Sequence, residues 1–397
     1  MYPTLYHFLA ETFGIQLRGL QIVNTFGLFV ALSIAAAFVA MQSEMRRKTV
    51  LGLFSTVKVT TITGKPFPLS DYILNALLAF VFGYKVLWLG LNTGDGFSPQ
   101  EHLFTGEGSW WMGLAIAAVV TGLRYRSDIK QRLAVPTSKT EDMDASYHMG
   151  NITTVALLSG FLGAKLFHLL EDPQNLSFGR IVSEFFTSGG WTFYGGLICG
   201  ASGVLIYCYK KGLHLLHILD SGGPAMMVSY GLGRFGCHFS GDGDWGLPNL
   251  TPKPMSWIPD WAWAYTYPHN VMGDSPFPPQ GMANIPGESG PFSYELVVPV
   301  YPTPLYEALM GLILFAVLWK FLRPRVKVAG NMFAWYMVLA GLERFAIEFI
   351  REHGTSIYKV GSISFSQAQM ISVLLMVLGG AWLLLSKKIV KSQPAVA

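Results

Sequence analysis

Long apolar segments dominate the chain and decide what it can fold into. A helix needs roughly 17–25 apolar residues to cross a bilayer core of about 30 Å. Nine segments approach or exceed this length, and we predict a spanning helix near each of 20–42, 74–93, 109–123, 148–170, 188–209, 215–238, 303–322, 329–350 and 365–386. The sequence therefore predicts an all-α polytopic membrane protein with about nine transmembrane helices, and we expect residues 1–397 to form a single integral membrane domain.

The composition agrees with this class and excludes several others. Only 13% of the 397 residues are charged and 51% are hydrophobic, whereas soluble domains carry about 25% charged residues. Disordered chains, collagen and nucleic-acid modules have different compositions. The three cysteines, Cys199, Cys208 and Cys237, lie in or beside apolar segments, so no disulfide framework is expected.

The distribution of Lys and Arg predicts the orientation, because cytoplasmic loops of membrane proteins are enriched in these residues. If the N-terminus is outside, 19 of the 28 Lys and Arg residues fall on the cytoplasmic side, five fall outside and four lie within spans. We therefore expect the N-terminus outside and the C-terminus in the cytoplasm. The stretch before the first span, residues 1–18, has no basic leader, so we expect that span to be retained rather than cleaved.

One long stretch outside the spans, residues 240–300, is rich in Pro, Trp, Tyr and Gly and falls on the outer side. Because Trp and Tyr favour the membrane interface, we predict an ordered periplasmic loop subdomain here. Its aromatic rings serve either for anchoring or for substrate binding.

Cations at membrane depth are costly and therefore indicate function. Lys165, Arg234 and Arg344 fall towards the outer side, and Glu348 lies one helical turn after Arg344. Converging cations suit a bound phosphate, because guanidinium groups contact phosphate oxygens bidentately. The alternative is that Arg344 and Glu348 only stabilise their helix.

The residues after Arg234 carry the densest set of reactive groups. His238, Asp242 and Asp244 lie in a run punctuated by glycines, which allow tight turns and close backbone approach. The two acids could hold a divalent cation or cap turn amides. We predict no metal and no cofactor.

Two further runs begin helices on the same side. Residues 188–196 contain glycines at the start of the fifth span, and a helix N-terminus is an anion site. Residues 301–307 carry two prolines at the start of the seventh, where proline suits the first helical turn.

These residues together resemble the prolipoprotein diacylglyceryl transferase family. Arg234 with its glycines resembles the family's Gly-Arg-x-Gly signature, and residues 301–307 resemble Pro-Ser-Gln-Leu-Tyr-Glu. Residues 344–351 match Arg-x-x-x-Glu-Phe-x-Arg, and residues 193–196 resemble Phe-His-Gly-Gly. Lys165 falls where the family has an arginine, and residues 25–28 resemble its first-span Tyr-Gly-Leu.

The chain also departs from the family pattern. The family's histidine is Tyr194, its first-span tyrosine is Phe26, and its asparagine becomes Cys237 or His238. Residues 58–145 have no counterpart, so we expect an inserted segment with two extra spans.

The resemblance implies transfer of a diacylglyceryl group from phosphatidylglycerol to the lipobox cysteine of a prolipoprotein signal peptide at the bacterial inner (plasma) membrane, with glycerol phosphate released. The resemblance implies no nucleic-acid partner. Because the nucleophile belongs to the substrate, Cys237 need not be catalytic. The implied catalytic residues are Arg234, Arg344, Asp242, Asp244, His238 and Tyr194. The implied substrate-binding residues are Lys165, Glu348, Tyr306, Glu307, Gly195, Gly196, Gly233, Gly236 and Phe26.

Two other functions stay open. A related phospholipid head-group enzyme without thiol transfer would account for the altered residues, whereas a lipid or anion transporter would use the same cations. No internal repeat supports a transporter.

Overall fold

The structure is a computed structural model, and it describes residues 1–92, 102, 105–171, 177–185, 190–273, 281–352, 357–360 and 363–391. Helices predominate over these residues. In chain order they are α1 (Leu5–Phe13), α2 (Thr25–Val50), α3 (Leu69–Leu91), α4 (Trp110–Gln131), α5 (Met149–Glu171), α6 (Phe178–Phe185), α7 (Phe193–Lys210), α8 (Leu215–Ser240), α9 (Thr303–Leu322), α10 (Asn331–Ile347) and α11 (Gln367–Lys391). The strands are β1 (Val57–Thr63), β2 (Thr137–Met143), β3 (Met282–Asn284), β4 (Tyr294–Leu296), β5 (Ile357–Val360) and β6 (Ile363–Ser366).

Each of the nine predicted spans coincides with one of these helices, α2–α5 and α7–α11. Within the described part of the chain, five helical stretches are long and apolar enough to cross a membrane: Thr25–Val50, Leu69–Leu91, Ala145–Glu171, Thr303–Leu322 and Gln367–Ile389. The prediction of a helical membrane protein is confirmed. The count of nine spans and the orientation stay predictions.

The chain divides into two compact units, each described by itself. The first unit comprises Met1–Phe8, Val23–Phe54 and Gly212–Ala397, and the second comprises Leu9–Ile22 and Ser55–Lys211. In the first unit, α8 is the central helix and packs against α2, α9 and α10, while α11 packs against α10. The ends of α8, α9 and α10 are thereby brought together.

The stretch predicted as a loop subdomain, residues 240–300, contains ordered structure in its described part. Strand β3 pairs antiparallel with β4, from Met282 with Leu296 to Asn284 with Tyr294. A small hydrophobic core lies beside this pair and consists of Trp245, Tyr267, Leu296 and Val300. These contacts give the chain that follows α8 a fixed position.

In the second unit, β1 and β2 pair along their whole length, from Val57 with Met143 to Thr63 with Thr137. Helices α3 and α4, which lie between the strands in sequence, pack against each other. Because the ribbon brings the two ends of this segment together, its geometry is compatible with the insertion expected at 58–145. That insertion stays a prediction.

Helices α5 and α7 approach closely at a pair of glycines. A Cβ added to Gly163 would lie 2.3 Å from the Cys199 Cβ and 2.5 Å from the Gly195 carbonyl oxygen. A Cβ added to Gly195 would lie 2.4 Å from the Gly163 carbonyl oxygen. Small residues that allow backbones this close are a common basis of helix packing in membranes.

We predict that Gly163→Val lowers the unfolding temperature of the full chain in detergent, because the new side chain must push α5 and α7 apart. Overpacking of this kind costs about 1–3 kcal/mol. The matched control is Gly150→Val on the same helix, where an added Cβ meets nothing within 4 Å. Equal unfolding temperatures for the two variants would contradict the close approach of the helices.

Candidate active site

The candidate site lies in the first unit, where the ends of three helices meet a loop. Arg234 lies near the end of α8, Glu307 in the second turn of α9 and Arg344 near the end of α10. Asp244 follows α8 and Arg351 follows α10. These five side chains form one connected set of ion pairs.

The Glu307 carboxylate is the centre of this set, and its side chain is fully buried. Its Oε2 lies 3.2 Å from Nε of Arg234, and its Oε1 accepts from Nη1 of Arg344 at 2.9 Å. Nη1 of Arg351 donates to Oε1 at 3.1 Å. One carboxylate therefore holds three guanidinium groups around itself, with the charge-assisted bonds that are the strongest available between side chains.

The Asp244 carboxylate joins two of these arginines from the loop side. It accepts from Nη1 of Arg234 and, at 2.5 Å, from Nη2 of Arg351. Its side chain is 37% exposed, so it forms the open side of the cluster. Glu348 binds the third arginine: its Oε2 lies 2.9 Å from Nη2 of Arg344, and its Oε1 accepts from the Ser366 hydroxyl at 2.7 Å.

A tyrosine extends the cluster into the helix bundle. The Arg234 guanidinium lies 5.5 Å from the ring centre of Tyr230, within the range of a cation–π contact. The Tyr230 hydroxyl donates to Oε1 of Glu343 at 3.1 Å. Through Tyr230, Arg234 of α8 is thus linked to Glu343 of α10.

The loop that carries Asp244 reaches the site because glycines allow its path. Gly241 ends α8 in the left-handed conformation, with φ 65°. At Gly246 an added Cβ would lie 2.4 Å from the Ile350 carbonyl oxygen. Gly246 and Arg351 form an antiparallel bridge, which brings the chain after α10 against this loop.

The two loop acids have opposite electrostatic surroundings. Burial favours protonation of Asp244, but the charges of Arg234 and Arg351 outweigh it and hold the pKa of its carboxyl below the ordinary value. Burial, together with the neighbouring Asp244 carboxylate, raises the pKa of Asp242. Asp242 is therefore the better proton acceptor of the two in the free protein.

Cys237 lies beside these acids. Its Sγ and one carboxylate oxygen each of Asp242 and Asp244 are all within 4.8 Å of one another. Its Sγ also accepts a long contact of 3.8 Å from Nη1 of Arg234. Two guanidinium groups already bind Asp244, and their positive charge opposes a cation at this place. The donor set thus does not favour a metal.

Other predicted residues of this unit have neighbours outside the cluster. Nδ1 of buried His238 lies 3.3 Å from the Tyr267 hydroxyl, and the Tyr306 hydroxyl donates to the Ala262 carbonyl at 2.7 Å. Phe26 is half-exposed at the start of α2. Gly236 faces it, since a Cβ added to Gly236 would lie 3.4 Å from the Phe26 ring. A Cβ added to Gly233 meets nothing within 4 Å.

Four predicted site residues belong to the second unit. Buried Lys165 donates to the Glu184 carbonyl at 3.0 Å and lies 4.3 Å from the Trp191 ring centre. Tyr194 is 40% exposed at the start of α7. Gly195 packs against α5 as described above, and Gly196 faces it too, with the Gly160 carbonyl oxygen 3.3 Å from an added Cβ. These contacts give the glycines a role in helix packing, which the glycine run alone does not predict. Ser188 and Gly189, from the same run, lie outside the described residues.

One member of the cluster, Arg351, is not among the site residues predicted from the sequence. By the predicted orientation it falls outside the spans, and it is the last residue of the motif at 344–351. Its place in the cluster depends on the bridge to Gly246, a contact between distant parts of the chain. The signal that could have found it is the motif itself, which contains Arg344, Glu348 and Arg351 together.

Comparison with known proteins identifies the family. The family model for prolipoprotein diacylglyceryl transferase matches residues 109–385. The chain belongs to this family. The match confirms the family predicted from the motifs around Arg234 and Arg344.

Curated relatives of this family carry the name phosphatidylglycerol–prolipoprotein diacylglyceryl transferase. One from Xylella fastidiosa (strain 9a5c) is 30% identical, over 76% of this chain and 89% of the relative. One from Janthinobacterium sp. (strain Marseille) is 28% identical, over 70% of this chain and 90% of the relative. One from Clostridium tetani is 26% identical, over 58% of this chain and 78% of the relative.

We predict that Glu307→Ala strongly destabilises the protein, because it leaves three guanidinium groups without their shared partner. Breaking a buried ion pair by removal of one member costs about 3–5 kcal/mol. The measurement is the unfolding temperature in detergent, with Asp260→Ala as control, since the Asp260–Lys253 pair is exposed. A Glu307→Ala protein as stable as the control would contradict the central role of this carboxylate.

Proposed function

We propose that this protein transfers the diacylglyceryl group of phosphatidylglycerol to the cysteine thiol of a prolipoprotein lipobox, with release of glycerol phosphate. This is the first step of lipoprotein maturation. The family and the names of the relatives support a membrane-bound transferase of this pathway. The observation that carries the proposal is the cluster of three guanidinium groups, of Arg234, Arg344 and Arg351, around Glu307.

The reaction requires stabilisation of a phosphate leaving group. The thiol sulfur attacks the glyceryl carbon next to the phosphate, the carbon–oxygen bond breaks, and the bonding electrons move to the phosphate oxygen. Negative charge therefore grows on the phosphate in the transition state. Guanidinium groups held rigidly by Glu307 supply preorganised donors at that place, which is where electrostatic catalysis is most effective.

The reaction also requires a base, because a free thiol with a pKa near 8.5 is mostly protonated at neutral pH. Asp242, Asp244 and His238 are the candidates from the sequence, with Tyr194 as a hydrogen-bonding partner. We assign the base to Asp242, because Asp244 is bound by two arginines and His238 faces Tyr267. The thiol proton would pass to the Asp242 carboxylate and from there to solvent or product.

We further propose that the protein resides in the bacterial inner membrane with nine spans, the N-terminus outside and the C-terminus in the cytoplasm. The distribution of Lys and Arg supports this orientation. It places the ends of α8 and α10, and with them Arg234 and Arg344, at the outer leaflet. Both substrates would reach the site there, the lipid from the leaflet and the signal peptide as it emerges.

We predict that Arg234→Ala and Arg344→Ala abolish lipidation, because each removes charge that stabilises the leaving phosphate. Loss of a single such donor lowers turnover by about 10²–10³. The assay combines purified protein, phosphatidylglycerol and a lipobox peptide, and it measures both the thioether product and glycerol phosphate.

Two controls accompany these variants. Arg325→Ala should retain activity, since the Arg325 side chain is exposed and its guanidinium donates to the Phe321 carbonyl on its own helix end, away from the cluster. Cys237→Ser should also retain activity, because the nucleophile belongs to the peptide. An inactive Cys237→Ser protein of normal abundance would overturn that assignment. Release of glycerol phosphate without thioether would instead indicate a head-group enzyme.

The pH dependence of lipidation tests the base. If Asp242 accepts the proton, kcat/KM falls as the pH drops through the pKa of its carboxyl, which burial and Asp244 place above the ordinary value of about 3.9. Asp242→Asn should remove this acidic limb and lower the rate by about 10²–10⁴. A limb that persists in Asp242→Asn would show that another group is the base.

A further inference from the structure

The guanidinium cluster is electrically balanced before any ligand arrives. Its three arginines, Arg234, Arg344 and Arg351, are matched by three carboxylates, Glu307, Asp244 and Glu348. A phosphodiester carries one negative charge. If it joined the cluster with every carboxylate in place, the group would become net negative, and like charges at short distance repel. An incoming phosphate therefore has to replace one carboxylate.

The three carboxylates differ in how easily they can leave. Glu307 belongs to α9 and its side chain is fully buried, while the side chain of Glu348 is 5% exposed and also accepts from the Ser366 hydroxyl. The Asp244 side chain is 37% exposed and lies on a loop. A carboxylate that leaves the cluster must be solvated by water instead. The Asp244 side chain is already partly accessible to solvent.

The backbone of Asp244 stays in place when its side chain turns. Its carbonyl accepts from the Thr303 hydroxyl at 3.1 Å, and the next residue, Trp245, is buried in the core of the loop subdomain. One residue further on, the Gly246 amide donates to the Tyr301 carbonyl at 2.9 Å. Release of the carboxylate therefore needs only a rotation about the side-chain bonds.

We propose that Asp244 is a displaceable counter-ion: its carboxylate occupies the place that the substrate phosphate takes, and the phosphate replaces it on Arg234 and Arg351. This inference rests on the proposed function for the identity of the substrate. In the free protein Asp244 keeps two guanidinium groups paired and oriented, so that they do not repel each other. When the phosphate binds, it accepts hydrogen bonds from the two guanidinium groups that Asp244 had oriented.

The exchange is tested by binding with the full chain in nanodiscs of phosphatidylcholine. The probe is a soluble short-chain phosphatidylglycerol, measured by calorimetry, and inorganic phosphate is titrated in parallel. We expect Asp244→Asn to bind the lipid about tenfold more tightly than the unaltered protein, because the competing charge on two charge-assisted hydrogen bonds is gone. Asp260→Asn, at an exposed ion pair with Lys253, should bind like the unaltered protein.

Unchanged or weaker binding of both probes by Asp244→Asn would overturn the proposal, because Asp244 would then belong to the permanent framework. Tighter binding of the lipid alone would identify a lipid headgroup as the displacing anion. Tighter binding of both would show that the phosphate group itself suffices, and either result supports the exchange.

A second measurement, the rise in unfolding temperature on addition of lipid, tests the exchange even if the substitution lowers the stability of the free variant. If Asp244 is replaced by phosphate, the short-chain lipid should raise the unfolding temperature of Asp244→Asn more than that of the unaltered protein. An equal or smaller rise would contradict the exchange. The proposed function fails separately: the unaltered protein would then bind the lipid but form no thioether on a lipobox peptide.

Discussion

The buried carboxylate of Glu307 is the interaction on which the site depends. Three guanidinium groups cannot lie within a few ångströms of one another in a low-dielectric environment unless negative charge lies between them. Glu307 supplies that charge from the start of α9, where its side chain is fully buried. Arg234 of α8, Arg344 of α10 and Arg351 after α10 all meet at this one carboxylate.

The arrangement combines a rigid part and an adjustable part. Glu307 and Glu348 bind the arginines from within or beside the helices, whereas Asp244 binds from a loop whose backbone is held by its own small core. A site that must accept and then release an anion benefits from this division. The helices hold the guanidinium groups in position, and the loop carries the Asp244 carboxylate, which the proposed exchange displaces.

The helical membrane architecture could be predicted from the sequence because apolar length is a local property of the chain. The start of α9 followed from the prolines near Thr303, and the site motifs placed Arg234 and Arg344 at helix ends. The role of Arg351 did not follow, since it depends on a bridge to Gly246, over a hundred residues away. Nor did the packing of Gly195 on Gly163, because glycine in a run also suits a turn or an anion site.

The sequence by itself determined the class of protein, the approximate positions of the helices and the family. It did so because hydropathy, charge and motif order are properties of contiguous residues. Only the tertiary structure decided which carboxylate lies among the arginines and which one faces water. Glu307 and Asp244 are alike in charge and carboxylate chemistry, and the difference between them arises from burial, which packing of distant segments creates.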